Sequence, residues 1–211
     1  MQHQICNLFC QPITLVNINI DGVVDFFESV IKKNNPKEFL NTASNTNLAN
    51  YHNDENIFEI YNELQSLERD ILAACNFVYQ DILNYDSDLR ITNAWINECN
   101  VGGAQETHNH CNSILSGTVY LRANQDTDIV FLNRHITSDT VTQLADFPNQ
   151  KKNNKYGYYY HSDMARFNVR EGDCLIWPSH LKHGYKDNQT PNRLSLSFNT
   201  IPTKLNCLYK F

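Results

Sequence analysis

Apolar and polar positions follow two different rhythms along this chain. After a first strand predicted over residues 15–20, apolar residues recur every three to four positions; from Leu89 onward they recur every second position. Asp21 is placed to cap a short helix carrying Val23, Val24, Phe27, Val30 and Ile31, and Asn34-Asn35-Pro36 ends it. Residues 41–53 are rich in Asn, Thr and Ser and read as a loop. A longer helix follows, with Ile57, Ile60, Leu64, Leu67, Ile71, Ala74, Val78 and Ile82 forming one stripe. Such a stripe belongs on a helix packed against the outside of a sheet.

The period-two region predicts short strands over residues 91–98, 108–111, 117–122, 128–132, 158–162, 166–169, 173–177 and 193–201. Short strands after a helical layer indicate a sandwich or jelly roll. The chain therefore reads as a single domain in two parts. Residues 1–88 form a mixed segment whose helices pack on the sheet, and residues 89–211 form the β core. The polar stretch 135–157 is long for a plain connection and suits either a lid or a surface loop.

Composition narrows the function. With 211 residues and 41% hydrophobic content the chain can bury a core, and its net charge of −6 disfavours a general nucleic-acid binder. The N-terminus lacks the pattern of a signal peptide, and no apolar run approaches the roughly 18 residues that span a membrane. Seven cysteines at positions 6, 10, 75, 99, 111, 174 and 207 form no CxxC pair. Reduced thiols in a cytoplasm are the simpler expectation.

Three segments carry chemistry. In Thr107-His108-Asn109-His110 a strand would place both imidazoles on one face, and Gly102-Gly103 permits a tight turn before it. Trp177-Pro178-Ser179-His180-Leu181-Lys182-His183 brings a late histidine, with His180 and His183 competing for the role. In Arg193-Leu194-Ser195-Leu196-Ser197-Phe198-Asn199, alternation sets Arg193, Ser195, Ser197 and Asn199 on one face and the apolar residues on the other. That polar face is either solvated or an anion clamp built on the planar fork of arginine.

In this order the segments resemble the 2-oxoglutarate and Fe(II)-dependent oxygenases, and more narrowly a branch found in bacteria and tailed phages. The matching residues are Ala94-Trp95-Ile96-Asn97, Gly103, His108-x-His110, Leu115-Ser116-Gly117-Thr118-Val119-Tyr120-Leu121, Glu171-Gly172-Asp173, Trp177-Pro178-Ser179, Leu181-Lys182-His183 and 193–199. The opening Asn7-Leu8-Phe9 through Pro12-Ile13 resembles that branch more weakly. The resemblance implies a mainly β fold with flanking helices, a double-stranded β-helix (jelly roll, cupin-like). It implies a dioxygenase that consumes O2 and 2-oxoglutarate, forms succinate and CO2, and hydroxylates an unidentified substrate.

By the same resemblance His108 and His183 ligate iron, Arg193 binds the far carboxylate of 2-oxoglutarate, and Ser195 and Tyr120 assist. Tyr120 equally suits a core position in its strand, and Trp95 and Asn97 suit either the pocket wall or ordinary packing. One departure matters: His110 stands where the usual two-histidine, one-carboxylate triad has its acid. His110 as third ligand is favoured, with an open position or Glu106 as the alternatives. A peptide side chain or a small molecule is the favoured substrate, and a homodimer is compatible with the chain. Two further readings stand beside the oxygenase. One is a three-histidine dioxygenase without 2-oxoglutarate, in which Arg193 grips the substrate. The other is a non-catalytic jelly-roll module of a phage.

Overall fold

Period-two alternation becomes two antiparallel sheets facing each other. The structure, a computed structural model, describes residues 11–34, 38–39, 47–132 and 164–204. In chain order the strands are β1 Thr14–Asn17, β2 Glu38–Phe39, β3 Leu48–Tyr51, β4 Leu89–Cys99, β5 Gln105–His108 and β6 Leu115–Arg122. They continue with β7 Asp128–Leu132, β8 Met164–Asn168, β9 Asp173–Pro178, β10 Lys182–Tyr185 and β11 Arg193–Pro202. The larger sheet has the order β1-β9-β6-β11-β4-β3-β2, and the smaller the order β5-β10-β7-β8.

The helices are α1 Val23–Phe26, α2 Lys32–Asn34, α3 Ile57–Ile60 and α4 Gln65–Phe77, extended by π-helical turns Phe27–Ile31 and Val78–Ile82 and a 3-10 turn Asn62–Leu64. They cover the outer face of the larger sheet. Phe27, Ile31, Ile57, Leu67 and Ile71 pack there with Leu194, Leu196 and Phe198 of β11. Each of these burials is worth about 1.5–3 kcal/mol. A smaller cluster of Ile129, Phe131, Val169, Leu175 and Trp177 fills part of the space between the sheets. The opposite face of β11, with Arg193, Ser195, Ser197 and Asn199, lines a cavity between the sheets. The expected alternation of this strand therefore holds, and its polar face is enclosed rather than bathed in water.

Several local expectations are corrected. The first strand is Thr14–Asn17 rather than 15–20. Asp21 does not cap α1; Gly22 occupies the cap at φ +75, while the Asp21 N–H donates to Asn19 Oδ1. The long helix is interrupted at Tyr61, whose backbone is extended and whose ring sits edge-on against Phe26 and His52. Ile60 and Ile82, expected in the buried stripe, are exposed, whereas Cys75 is fully buried. Part of the expected loop 41–53 is the strand β3, entirely buried and paired with β4 from Leu48↔Cys99 to Tyr51↔Ile96. Its polar composition misled because Asn50 faces the cavity. The strand expected over 108–111 instead ends at His108. The strand 158–162, the stretch 135–157 and the opening Asn7-Leu8-Phe9 lie outside the described residues. Among the described residues no helix is long and apolar enough to cross a membrane.

Candidate metal centre and its cavity

Two strands of the smaller sheet bring histidines together across 75 residues of sequence. His183 of β10 pairs in register with His108 of β5 on one side and with Phe131 of β7 on the other. The close approach of β10 to β5 needs a glycine next to the histidine: a Cβ on Gly184 would lie 2.6 Å from the Gln105 carbonyl oxygen. His110 arrives differently. The chain has left β5, and the His110 N–H donates to the Ser179 carbonyl at 3.0 Å, in the turn between β9 and β10. Ser179 is tied in turn: Ser116 Oγ bonds Ser179 Oγ at 2.8 Å and Asn199 Oδ1 at 2.6 Å. The larger sheet thus anchors the corner that positions His110.

The three imidazoles offer ligand atoms that all lie within 4.8 Å of one another, so the set could hold one metal ion. His110 Nε2 and His183 Nε2 are 3.2 Å apart. His108 Nδ1 donates to the Glu106 carbonyl at 2.8 Å and His183 Nδ1 to the Leu181 carbonyl at 2.9 Å. These bonds select the tautomer that leaves the Nε2 lone pair free, which is how ligating histidines are commonly oriented. Burial, reinforced by the neighbouring imidazoles, lowers His110 to about 4 and His183 to about 3, so both are neutral at ordinary pH. His180 is exposed and does not join the cluster. Glu106 is also exposed and contributes its carbonyl to His108 rather than its carboxylate to the cluster.

The cavity beside the histidines holds about 350 Å³. At one end Arg193, only 3% exposed, lays its guanidinium 3.6 Å from the centre of the Tyr185 ring and 5.5 Å from that of Tyr120. Three buried donors on the cavity wall find no hydrogen-bond partner among the described residues: Arg193 Nε, the nearby Tyr120 Oη, and Trp177 Nε1 beside His183. Burial keeps the Tyr120 phenol protonated by raising it to about 12, against the opposing pull of Arg193. Unpaired buried donors of this kind cost free energy unless a ligand accepts from them. Ser195 lines the same wall, and Trp95 and Asn97 line it from β4. Tyr185 was missed in the sequence. Its signal was its position two residues after His183, but β10 itself had not been recognised.

Comparison with known proteins then decides the family. Residues 93–199 match the model of the family described as "Putative 2OG-Fe(II) oxygenase", just over half the chain. The chain belongs to this family. No match was found among curated proteins. Solved structures of 2OG-Fe(II) oxygenases share the fold, the double-stranded β-helix. A 2OG-Fe(II) oxygenase family oxidoreductase from Burkholderia pseudomallei superposes with a TM-score of 0.54 at 11% identity, covering 89% of this chain and 83% of that one. HygX from Streptomyces hygroscopicus, solved with nickel and 2-oxoglutarate, gives 0.60 at 14% identity, covering 92% and 84%. The epimerase SnoN from nogalamycin biosynthesis gives 0.61 at 15% identity, covering 90% and 76%.

As a 2OG-Fe(II) oxygenase, the protein is an enzyme that depends on Fe(II) and 2-oxoglutarate. Its own residues fit both. Imidazole nitrogen suits Fe(II), and an enclosed arginine flanked by unpaired donors suits a dicarboxylate.

Proposed function

We propose that His108, His110 and His183 hold the iron and that Arg193, with Ser195 and Tyr120, holds the far carboxylate of 2-oxoglutarate. The observation that carries this reading is a buried arginine with an unpaired Nε beside the Tyr120 phenol, within one cavity shared with the three imidazoles. When bound, the metal and cosubstrate supply the oxidising chemistry, releasing succinate and CO2. The protein's part is geometric. Tyr185 supports the guanidinium from beneath, the Glu106 and Leu181 carbonyls fix two imidazole tautomers, and the apolar cluster around Phe131 and Trp177 keeps that end dry.

With three neutral ligands, the ion's charge is balanced by the cosubstrate dianion rather than by a protein carboxylate. The reaction on this reading is hydroxylation of a peptide side chain or small molecule, and the net charge of −6 disfavours nucleic acid as the substrate. Residues 1–88 act as a buttress for the catalytic core 89–211 within one domain. The HxH pattern supports membership of the bacterial and tailed-phage branch, working in a cytoplasm, a phage-encoded copy in that of its host. A homodimer is compatible with this arrangement.

Anaerobic titration with Fe(II) and then 2-oxoglutarate tests the assignment. A visible metal-to-ligand charge-transfer band is expected, lost in Arg193→Ala and shifted or lost in His110→Ala. Tight Fe(II) binding without a band would transfer the reading to a three-histidine dioxygenase that binds its substrate directly. Failure to bind Fe(II) would leave a non-catalytic jelly roll.

A further inference from the structure

The cavity wall carries two chemically opposite kinds of unpaired group. Beside Arg193 they are donors, as described above. On the wall formed by β3, the turn after it and β4, Asn50 Oδ1 and the Asp54 carboxylate are acceptors. Asn50 is 3% exposed; its Nδ2 donates to Asn53 Oδ1 at 3.1 Å, and its own Oδ1 accepts no hydrogen bond among the described residues. Next to it the exposed carboxylate of Asp54 lines the cavity and forms no ion pair among the described residues. Trp95 of β4, 9% exposed, lines the same cavity with its ring 5.8 Å from that of His110.

A charge census sharpens the contrast. Histidines aside, Arg193 is the sole cation and Asp54 the sole acid among the described residues that line the cavity. Once the cosubstrate occupies Arg193, no cation remains to receive a phosphate or a carboxylate. A buried amide oxygen without a donor and a free carboxylate both call for a donor-rich, positively charged group.

We propose that Asn50 and Asp54 form a substrate subsite for a primary ammonium, so that the enzyme acts on an amine-bearing polar substrate laid across Trp95. This inference rests on the 2-oxoglutarate reading of the Arg193 end. The same chemistry occurs in a free amino sugar and in a lysyl side chain, and the test separates these sources.

The experiment uses the full chain with Fe(II) and 2-oxoglutarate under anaerobic conditions, with the charge-transfer band as the first check. Glucosamine and Nα-acetyl-lysine methylamide are titrated as amine probes. Their N-acetylated counterparts and glucose 6-phosphate serve as neutral and anionic controls. Binding is read by saturation-transfer NMR and by perturbation of the band. At least one amine should bind about five-fold more tightly than its acetylated partner at low salt, as a rim ion pair allows. Asp54→Asn should abolish that preference. The amine that binds identifies the source as sugar or peptide. Equal binding of acetylated or phosphorylated probes, an unchanged preference in Asp54→Asn, or no binding of either amine overturns the subsite. If the band forms and the preference is missing, the subsite fails alone; if no band forms, the 2-oxoglutarate reading of the Arg193 end fails and the subsite falls with it.

Discussion

At the residue scale the site depends on a few side chains whose alternatives are chemically distinct. Arg193 is enclosed and stacked on Tyr185, so its fork cannot be replaced by a point charge. Arg193→Lys should weaken 2-oxoglutarate binding by roughly 10- to 100-fold, the worth of a charge-assisted bidentate contact, with Fe(II) affinity nearly unchanged. Titration of the charge-transfer band checks both numbers, and an unaltered cosubstrate affinity would remove Arg193 from the clamp.

The buried imidazoles make a second prediction, for the metal-free protein. Their folded pKa values, about 4 for His110 and about 3 for His183, lie below the ordinary value of 6.5. The unfolded chain therefore binds more protons within that window. Stability is fully present above about pH 6.5 and is lost as pH falls toward the folded values. Denaturant unfolding between about pH 7.5 and about pH 5 should show this slope, and His183→Asn should flatten it. A midpoint independent of pH in the unmodified chain contradicts the burial argument.

At the element scale, the histidine cluster is a product of strand pairing. β10 and β5 meet at His183↔His108, and the Gly184 position leaves no room for a side chain against the Gln105 and Glu106 backbone. Gly184→Ala forces two backbones apart, and overpacking of this kind costs about 1–3 kcal/mol. Fe(II) affinity should fall with stability, because His108 moves with β5. Retention of both would show that the pairing is looser than its geometry implies.

The larger sheet has its own anchor to the helical layer. Buried Glu98 accepts from Lys32 at 2.5 Å and from Tyr51 Oη at 3.1 Å. Lys32→Met removes a cation that sits against that carboxylate. Because Lys32 is itself 30% exposed, water offsets part of the loss. A destabilisation of about 1–3 kcal/mol is expected in chemical unfolding. The interrupted helix at Tyr61 belongs to this scale as well. Its periodicity was legible in the sequence, whereas the break falls where Tyr61 meets Phe26 and His52, both outside the helix.

At the scale of the whole molecule, the proposed site puts the metal and cosubstrate where the two sheets face each other, so ligation should stabilise the folded state as a unit. At about one hundred times Kd the gain is about 2.7 kcal/mol, which for a chain of 211 residues raises Tm by roughly 5–10 °C. Thermal melts with Fe(II) and 2-oxoglutarate, reversed by a chelator, check this. His108→Ala should melt at the same temperature with and without the additions.

What the amino-acid sequence determined by itself is whatever depends on neighbours along the chain. The change of period near Leu89 separated helix-forming from strand-forming segments. Alternation in 193–199 sorted Arg193, Ser195, Ser197 and Asn199 from Leu194, Leu196 and Phe198, because side chains of any strand take opposite faces in turn. The order of HxH, late histidine and RxS pointed to the family. Tertiary structure decided what depends on distant segments meeting. It chose His183 over His180 through pairing with β5, and it carried His110 out of the strand onto the Ser179 carbonyl. It also placed Tyr185 beneath Arg193 and turned a polar stretch around Asn50 into a buried wall. Those outcomes rest on contacts between residues far apart in the chain, which local periodicity does not encode.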